Sequence, residues 1–131
     1  MFHTKPKPVV LRLIAAIAHW AVVSQFLLPN PWAVAGLLVP LAIWVFHKPG
    51  SPWLGFQGLQ ALAYQFLLTS ILILSWKFSP GVYILLKMPV IPLCIIYGIY
   101  GGLRCLLFGS FQYILLGRIL EQASGRYITR R

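Results

Sequence analysis

Few side chains in this chain can do chemistry, and His19 is the first of them. It lies inside an apolar run, Val10 to Leu28, where an imidazole needs a partner. Two readings stay open for it. It could ligate the iron of a haem or the magnesium of a chlorophyll-type pigment, or it could hydrogen-bond another helix, for example at Gln25 or Gln65. The other histidines, His3 and His47, fall at the ends of apolar segments. That disfavours a haem with two axial histidines and leaves a pigment with one ligand. The cofactor itself is unknown from sequence. A second feature is a polar stripe in which Gln57, Gln60, Tyr64 and Gln65 share one helical face and Leu59, Leu62, Phe66 and Leu67 take the other. This stripe could line a polar cleft, or its amides could meet water and lipid headgroups as an interfacial helix.

Several chemistries are excluded. Glu121 is the single acid against eleven Lys and Arg, so paired-carboxylate hydrolysis has no material. Phosphate-binding glycine loops and an HExxH zinc motif are absent. Cys94 and Cys105 would stand about 16 Å apart on one helix at 1.5 Å per residue, too far for a disulfide. No metal site is expected, and the chain reads as a non-enzyme: His19 as a general base would have no carboxylate to orient it.

The elements that hold these groups are membrane helices. Of 131 residues, 60% are hydrophobic and 9% charged, against about 25% charged in soluble domains; the mean hydropathy is +0.83. The expected fold is an all-α integral membrane protein, one polytopic domain over 1–131 with about four transmembrane helices. A basic tail covers 1–9, helices cover about 10–28, 32–47, 55–76 and 82–108, and a basic surface segment covers 109–131. The N-terminus resembles the charged region of a signal peptide, but no small-residue cleavage site follows, so the first helix is expected to be retained. Pro29-Asn30-Pro31 ends helix 1. Helix 2 contains Pro40 and is short, about 24 Å against a hydrocarbon core of about 30 Å, so it could kink, thin the bilayer or enter without crossing. The stripe makes the start of helix 3 amphipathic. In helix 4, Gly98 and Gly102 form a GxxxG pair that lets two helix backbones approach closely. Trp32, Trp44, Trp53 and Trp76 lie near helix ends, as an aromatic belt does. Glu121 and Arg118, three residues apart, form a candidate surface ion pair.

The net charge of +10 fits membrane anchoring and anionic headgroups better than nucleic acid. With four crossings, Lys5, Lys7, Arg12, Lys48, Arg104 and the tail arginines share one side, and Lys77 and Lys87 the other. The positive-inside rule then places both termini in the cytoplasm.

Short motifs add a resemblance. Pro40-Leu41-Ala42-Ile43-Trp44 with Lys48 and Ser51-Pro52, then Gln60-Ala61-Leu62-Ala63-Tyr64-Gln65, then Gly109, Tyr113 and Arg118, with His19-Trp20 in helix 1, resemble small bacterial membrane proteins related to the Tic-twenty component of the chloroplast import machinery. The chain departs from that pattern at Gln57 and Ala63, where the family has His and Asn. The resemblance implies a four-helix bundle and, by analogy, a part in protein translocation.

The functional expectation is a small structural or accessory subunit of a larger membrane complex, with a membrane-protein partner or a second copy of itself. The alternative is a translocation or channel-like component. The expected location is a bacterial inner membrane or a thylakoid-type membrane.

Overall fold

A computed structural model describes residues 7–27, 32–47, 50–109 and 111–128. Lys5, Pro29-Asn30-Pro31, Lys48, Arg130 and Arg131 lie outside the described residues. The described elements are helical. They are α1 (Val9–Trp20), a 3-10 segment (Ala21–Val23), α2 (Ser24–Leu27), a second 3-10 segment (Trp32–Leu37), α3 (Leu38–His47), α4 (Pro52–Phe78), α5 (Pro80–Phe108) and α6 (Leu116–Ile128).

Local chemistry sets these boundaries. Ser51 caps α4 by accepting a hydrogen bond from the Leu54 amide, and Pro52 occupies the first turn, where its missing N–H costs nothing. A single non-helical residue, Ser79, separates α4 from α5, which again opens on a proline. Pro89 and Pro92 lie inside α5; each removes one backbone hydrogen bond from the ladder. Gly109 ends α5 at φ 72°, the left-handed cap conformation that glycine adopts without strain. Arg12 lies on the first turn of α1. It donates from Nη1 to the Leu106 and Leu107 carbonyls at 3.2 and 3.4 Å. A cation at a helix C-terminus satisfies free carbonyls and opposes the negative end of the dipole.

α4 and α5 are long and apolar enough to cross a membrane, with mean hydropathies of 1.5 and 2.0; the apolar stretches Val9–Val23 and Val34–His47 are shorter. Contacts fix how the helices run. Tyr64 reaches Cys94, Gln57 reaches Cys105, and Trp76 meets Tyr83, so α4 and α5 form an antiparallel hairpin with its tip at Ser79. Arg12 lies at Leu106 and Trp20 at Ile99, so α1 runs antiparallel to α5. Gly58 of α4 abuts backbone atoms of Pro40 and Trp44, which brings α3 alongside.

Gly98 and Gly102 do their packing within the chain. A Cβ on Gly98 would meet the Val22 side chain and the His19 carbonyl, and one on Gly102 would meet the Trp20 indole. Both glycines are buried under α1. The close approach that the GxxxG pair allows is therefore made to the chain's own first helix.

The core lies where α1, α3, the first half of α4 and the last half of α5 meet, around Ala15, Ala18, Ile43, Leu54, Ala61 and Cys105. Small residues dominate α1's inner face, and Ala15, Ala16 and Ala18 are fully buried. Close helix approach through small residues is the usual packing solution where lipid tails are as apolar as the side chains.

Candidate functional site

A polar network fills the middle of this bundle. His19 is fully buried, and both ring nitrogens are engaged: Nδ1 lies 3.0 Å from the Tyr113 hydroxyl and Nε2 lies 3.1 Å from Gln57 Oε1. An amide oxygen only accepts, so Nε2 carries the proton and Nδ1 receives the hydroxyl's. Burial pushes the Tyr113 phenol well above its ordinary value, which keeps it the donor. Gln57 passes the chain on by donating from Nε2 to the Phe111 carbonyl at 3.1 Å, while its oxygen also accepts from Cys105 Sγ at 3.4 Å.

Gln60 reads the same stretch of backbone. Its Nε2 donates to the Phe111 carbonyl at 3.4 Å, and its Oε1 accepts from the Tyr113 amide at 3.1 Å. One side-chain amide thus substitutes for a neighbouring strand, satisfying a buried loop that has no helix ladder. One helical turn further, Gln65 donates to the Ala18 carbonyl at 3.0 Å, just before α1 changes to its 3-10 segment. Tyr64 donates to the Cys94 carbonyl at 3.0 Å.

Aromatic rings close around the histidine. Tyr64 stacks on Tyr113 with centroids 4.3 Å apart and planes 15° from parallel. Tyr97 and Phe111 meet Tyr113 edge-on at 5.4 and 4.9 Å, and Phe111 meets His19 edge-on at 5.4 Å. Edge-to-face and offset pairs of this kind add about 0.5–1.5 kcal/mol each beyond buried area. Gly101 is flat against the Phe111 ring, where a Cβ would collide.

Several expectations need correction. The stripe of Gln57, Gln60 and Gln65 does not face headgroups: the three are 3%, 0% and 0% exposed, while Phe66 and Leu67 on the opposite face are 62% and 49% exposed. The amphipathic stretch is turned inward because its amides have backbone and imidazole partners inside, and lipid accepts the leucines. His19 pairs with Gln57 and Tyr113, and Gln65 donates to the Ala18 carbonyl instead; the Gln25 side chain lies outside the described residues. Glu121 accepts from Gln112 Nε2 at 2.8 Å, where Arg118 was expected. Ligation of a haem or pigment by His19 would require breaking one of its two hydrogen bonds. Among the described residues no group of three or more His, Cys, Asp or Glu could hold a metal ion.

Sequence reasoning missed Phe111, and it named Tyr113 only within a tail motif without giving it a place in the core. Both sit between two helices, in a segment expected to lie on the surface, and nothing in their spacing marks them as buried. Beside them an open groove of about 580 Å³ runs between Trp53, Tyr97, Arg104 and Glu121.

Comparison with known proteins bears on this arrangement. The family model for magnetosome magnetite crystal formation proteins (MamF/MmsF) matches residues 11–120. No curated protein and no solved structure matches. The match replaces the resemblance to Tic-twenty-like proteins. The motifs that carried it are short, and here they serve bundle packing: Pro40 and Ile43 receive Gly58, and Gln60 and Gln65 tie the core together. Many helical bundles ask the same of their sequences. With the two long apolar helices, the match marks a small bacterial membrane protein.

Proposed function

This chain belongs to the magnetosome magnetite crystal formation protein family, and on that premise we propose that it is a non-enzymatic structural component of the magnetosome membrane, acting in crystal formation by organising the bilayer and its protein neighbours. The observation that carries this reading is the buried network: His19, Gln57, Gln60 and Tyr113 are spent on one another and on backbone groups. Such a network fixes one helix arrangement. It offers neither a free nucleophile nor an oriented base, and a conduction path would have to use these same engaged groups. One acid in 131 residues gives no carboxylate cluster to bind iron or a mineral face, so the contribution to the crystal is indirect.

In this reading the α4–α5 hairpin crosses the membrane, and the shorter α1 and α3 enter beside it from the side of the termini without reaching the far face. α1 and α4 run one way and α3 and α5 the other, and the basic residues of both ends gather on the cytoplasmic side. The shorter α1 and α3 are carried by the long hairpin. The location is the magnetosome membrane rather than a thylakoid-type membrane, and the partners are anionic lipids and neighbouring membrane proteins.

Deletion of the gene in a magnetosome-forming bacterium tests this, with crystals sized by electron microscopy. Crystals of altered size or number, restored by the wild-type chain and by a variant lacking Glu121, are expected. Unaltered crystals overturn the reading. Restoration by wild type but not by Glu121→Gln shows that the acid acts on the mineral and overturns the indirect role.

A further inference from the structure

The two halves of the molecule differ in width. Trp53 and Trp76 lie 23 residues apart on α4, about 35 Å at 1.5 Å per residue, which places one at each face of a core of about 30 Å. α1, α3, α4 and α5 all pack at the Trp53 end. Val22 of the first 3-10 segment lies on Gly98, and Leu27 ends α2 only five residues later. The first buried residue of α5 is Ile91. Beyond that level, among the described residues, the α4–α5 hairpin continues alone for about 15 Å. Leu74, Trp76, Leu85 and Met88 there are 54%, 58%, 74% and 72% exposed. The α5 span is only 11% buried inside the protein, so lipid covers it. One leaflet therefore holds four helices and the other two, a difference of roughly 200 Å² at about 10 Å per helix.

α6 adds to the wide side. It follows the buried Tyr113, it contacts α4, and Glu121 holds it to Gln112 near Trp53. It is amphipathic; Leu115, just before its start, and Ile119, one turn on, are 76% and 61% exposed. A helix lying in one leaflet with such a face expands that leaflet and binds according to curvature.

We propose that the chain is a curvature-selective wedge, whose preferred bilayer bulges toward the face that carries α6 and the chain termini. This rests on the reading above that both termini are cytoplasmic. The cytoplasmic leaflet of a small intracellular vesicle is its outer, convex one, so the wedge matches a magnetosome-sized membrane and opposes its flattening.

The test uses the purified full chain in giant vesicles of phosphatidylethanolamine and phosphatidylglycerol, from which narrow tubes are pulled outward. A C-terminal tag is labelled with an impermeant dye to report outward-facing molecules; inward-facing ones are seen after external quenching of a uniformly labelled sample. Outward-facing molecules are expected to concentrate in the tube several-fold over the flat membrane, and inward-facing ones to be depleted. Equal partition of the two populations overturns the proposal. The double variant Leu115→Asp, Ile119→Asp, which leaves the core intact, is expected to insert normally and to lose much of the enrichment. An unchanged ratio overturns the part assigned to α6. No crystal enters this assay, so it can fail while the role in crystal formation stands, and the converse.

Discussion

Replacing His19 by phenylalanine keeps the ring's footprint and removes both of its hydrogen bonds. The Tyr113 hydroxyl then loses its acceptor, and Gln57 Oε1 keeps only the long bond from Cys105 Sγ. Interhelical hydrogen bonds in membrane proteins average about 0.6 kcal/mol, so the two together give a floor of about 1.2 kcal/mol. Leaving a buried hydroxyl unsatisfied raises the figure to about 3 kcal/mol. Cys105 supplies a reporter, because its thiol is fully buried beside Gln57 and reacts only when the bundle opens. In a Cys94→Ser background, alkylation of Cys105 in mild detergent tracks the open fraction when reclosing is fast. The expected acceleration in His19→Phe is roughly 7- to 150-fold, at about tenfold per 1.4 kcal/mol. A rate within twofold of the parent refutes the structural role of His19, because no bundle held by these bonds could lose them at that cost.

Other perturbations separate the packing claims. Gly98→Val puts methyl groups into Val22 and is expected to cost about 1–3 kcal/mol by overpacking, read as a lower midpoint of thermal unfolding. Gly50→Ala, with nothing within 4 Å of the new Cβ, should leave that midpoint unchanged. Gly109→Ala forces a side chain into a left-handed backbone and should cost about 1 kcal/mol by the same measurement; an unshifted midpoint would show that the α5 cap relaxes. For topology, in a bacterial host that makes no magnetosomes and holds the chain in its inner membrane, Phe78→Cys in the Cys94→Ser background should react with an impermeant maleimide added outside intact spheroplasts, while a C-terminal tag stays protected from external protease. Labelling only after lysis would reverse the orientation.

The long hairpin was legible because its signals are local: apolar length, a capping serine and prolines at helix starts. His19 and the glutamine stripe were also legible as residue types out of place in apolar sequence. Their direction was not. Gln57 and Gln65 read equally well as facing headgroups, because a helical wheel gives a face but not what it packs against. The missing information was Phe111 and Tyr113, whose backbone supplies the partners of Gln57 and Gln60, and the Ala18 carbonyl that takes Gln65. Those contacts join residues 47 to 54 positions apart, and no local pattern encodes them. The GxxxG pair carried the same ambiguity, since small residues promise a close neighbour without saying which chain provides it. The resemblance built on PLAIW and QALAYQ failed for a related reason, because both motifs describe how helices fit together.

The placement of Phe111 and Tyr113 has a consequence for biogenesis. Gln57, Gln60 and His19 are synthesised long before the segment that answers them. Until residues 111–113 emerge, the inserted helices carry donors and acceptors with no assigned mates. This late-made segment therefore acts as a keystone: the helices of the bundle are inserted first and locked afterwards, so a ribosome that stops before Phe111 leaves behind an open assembly for quality control to find.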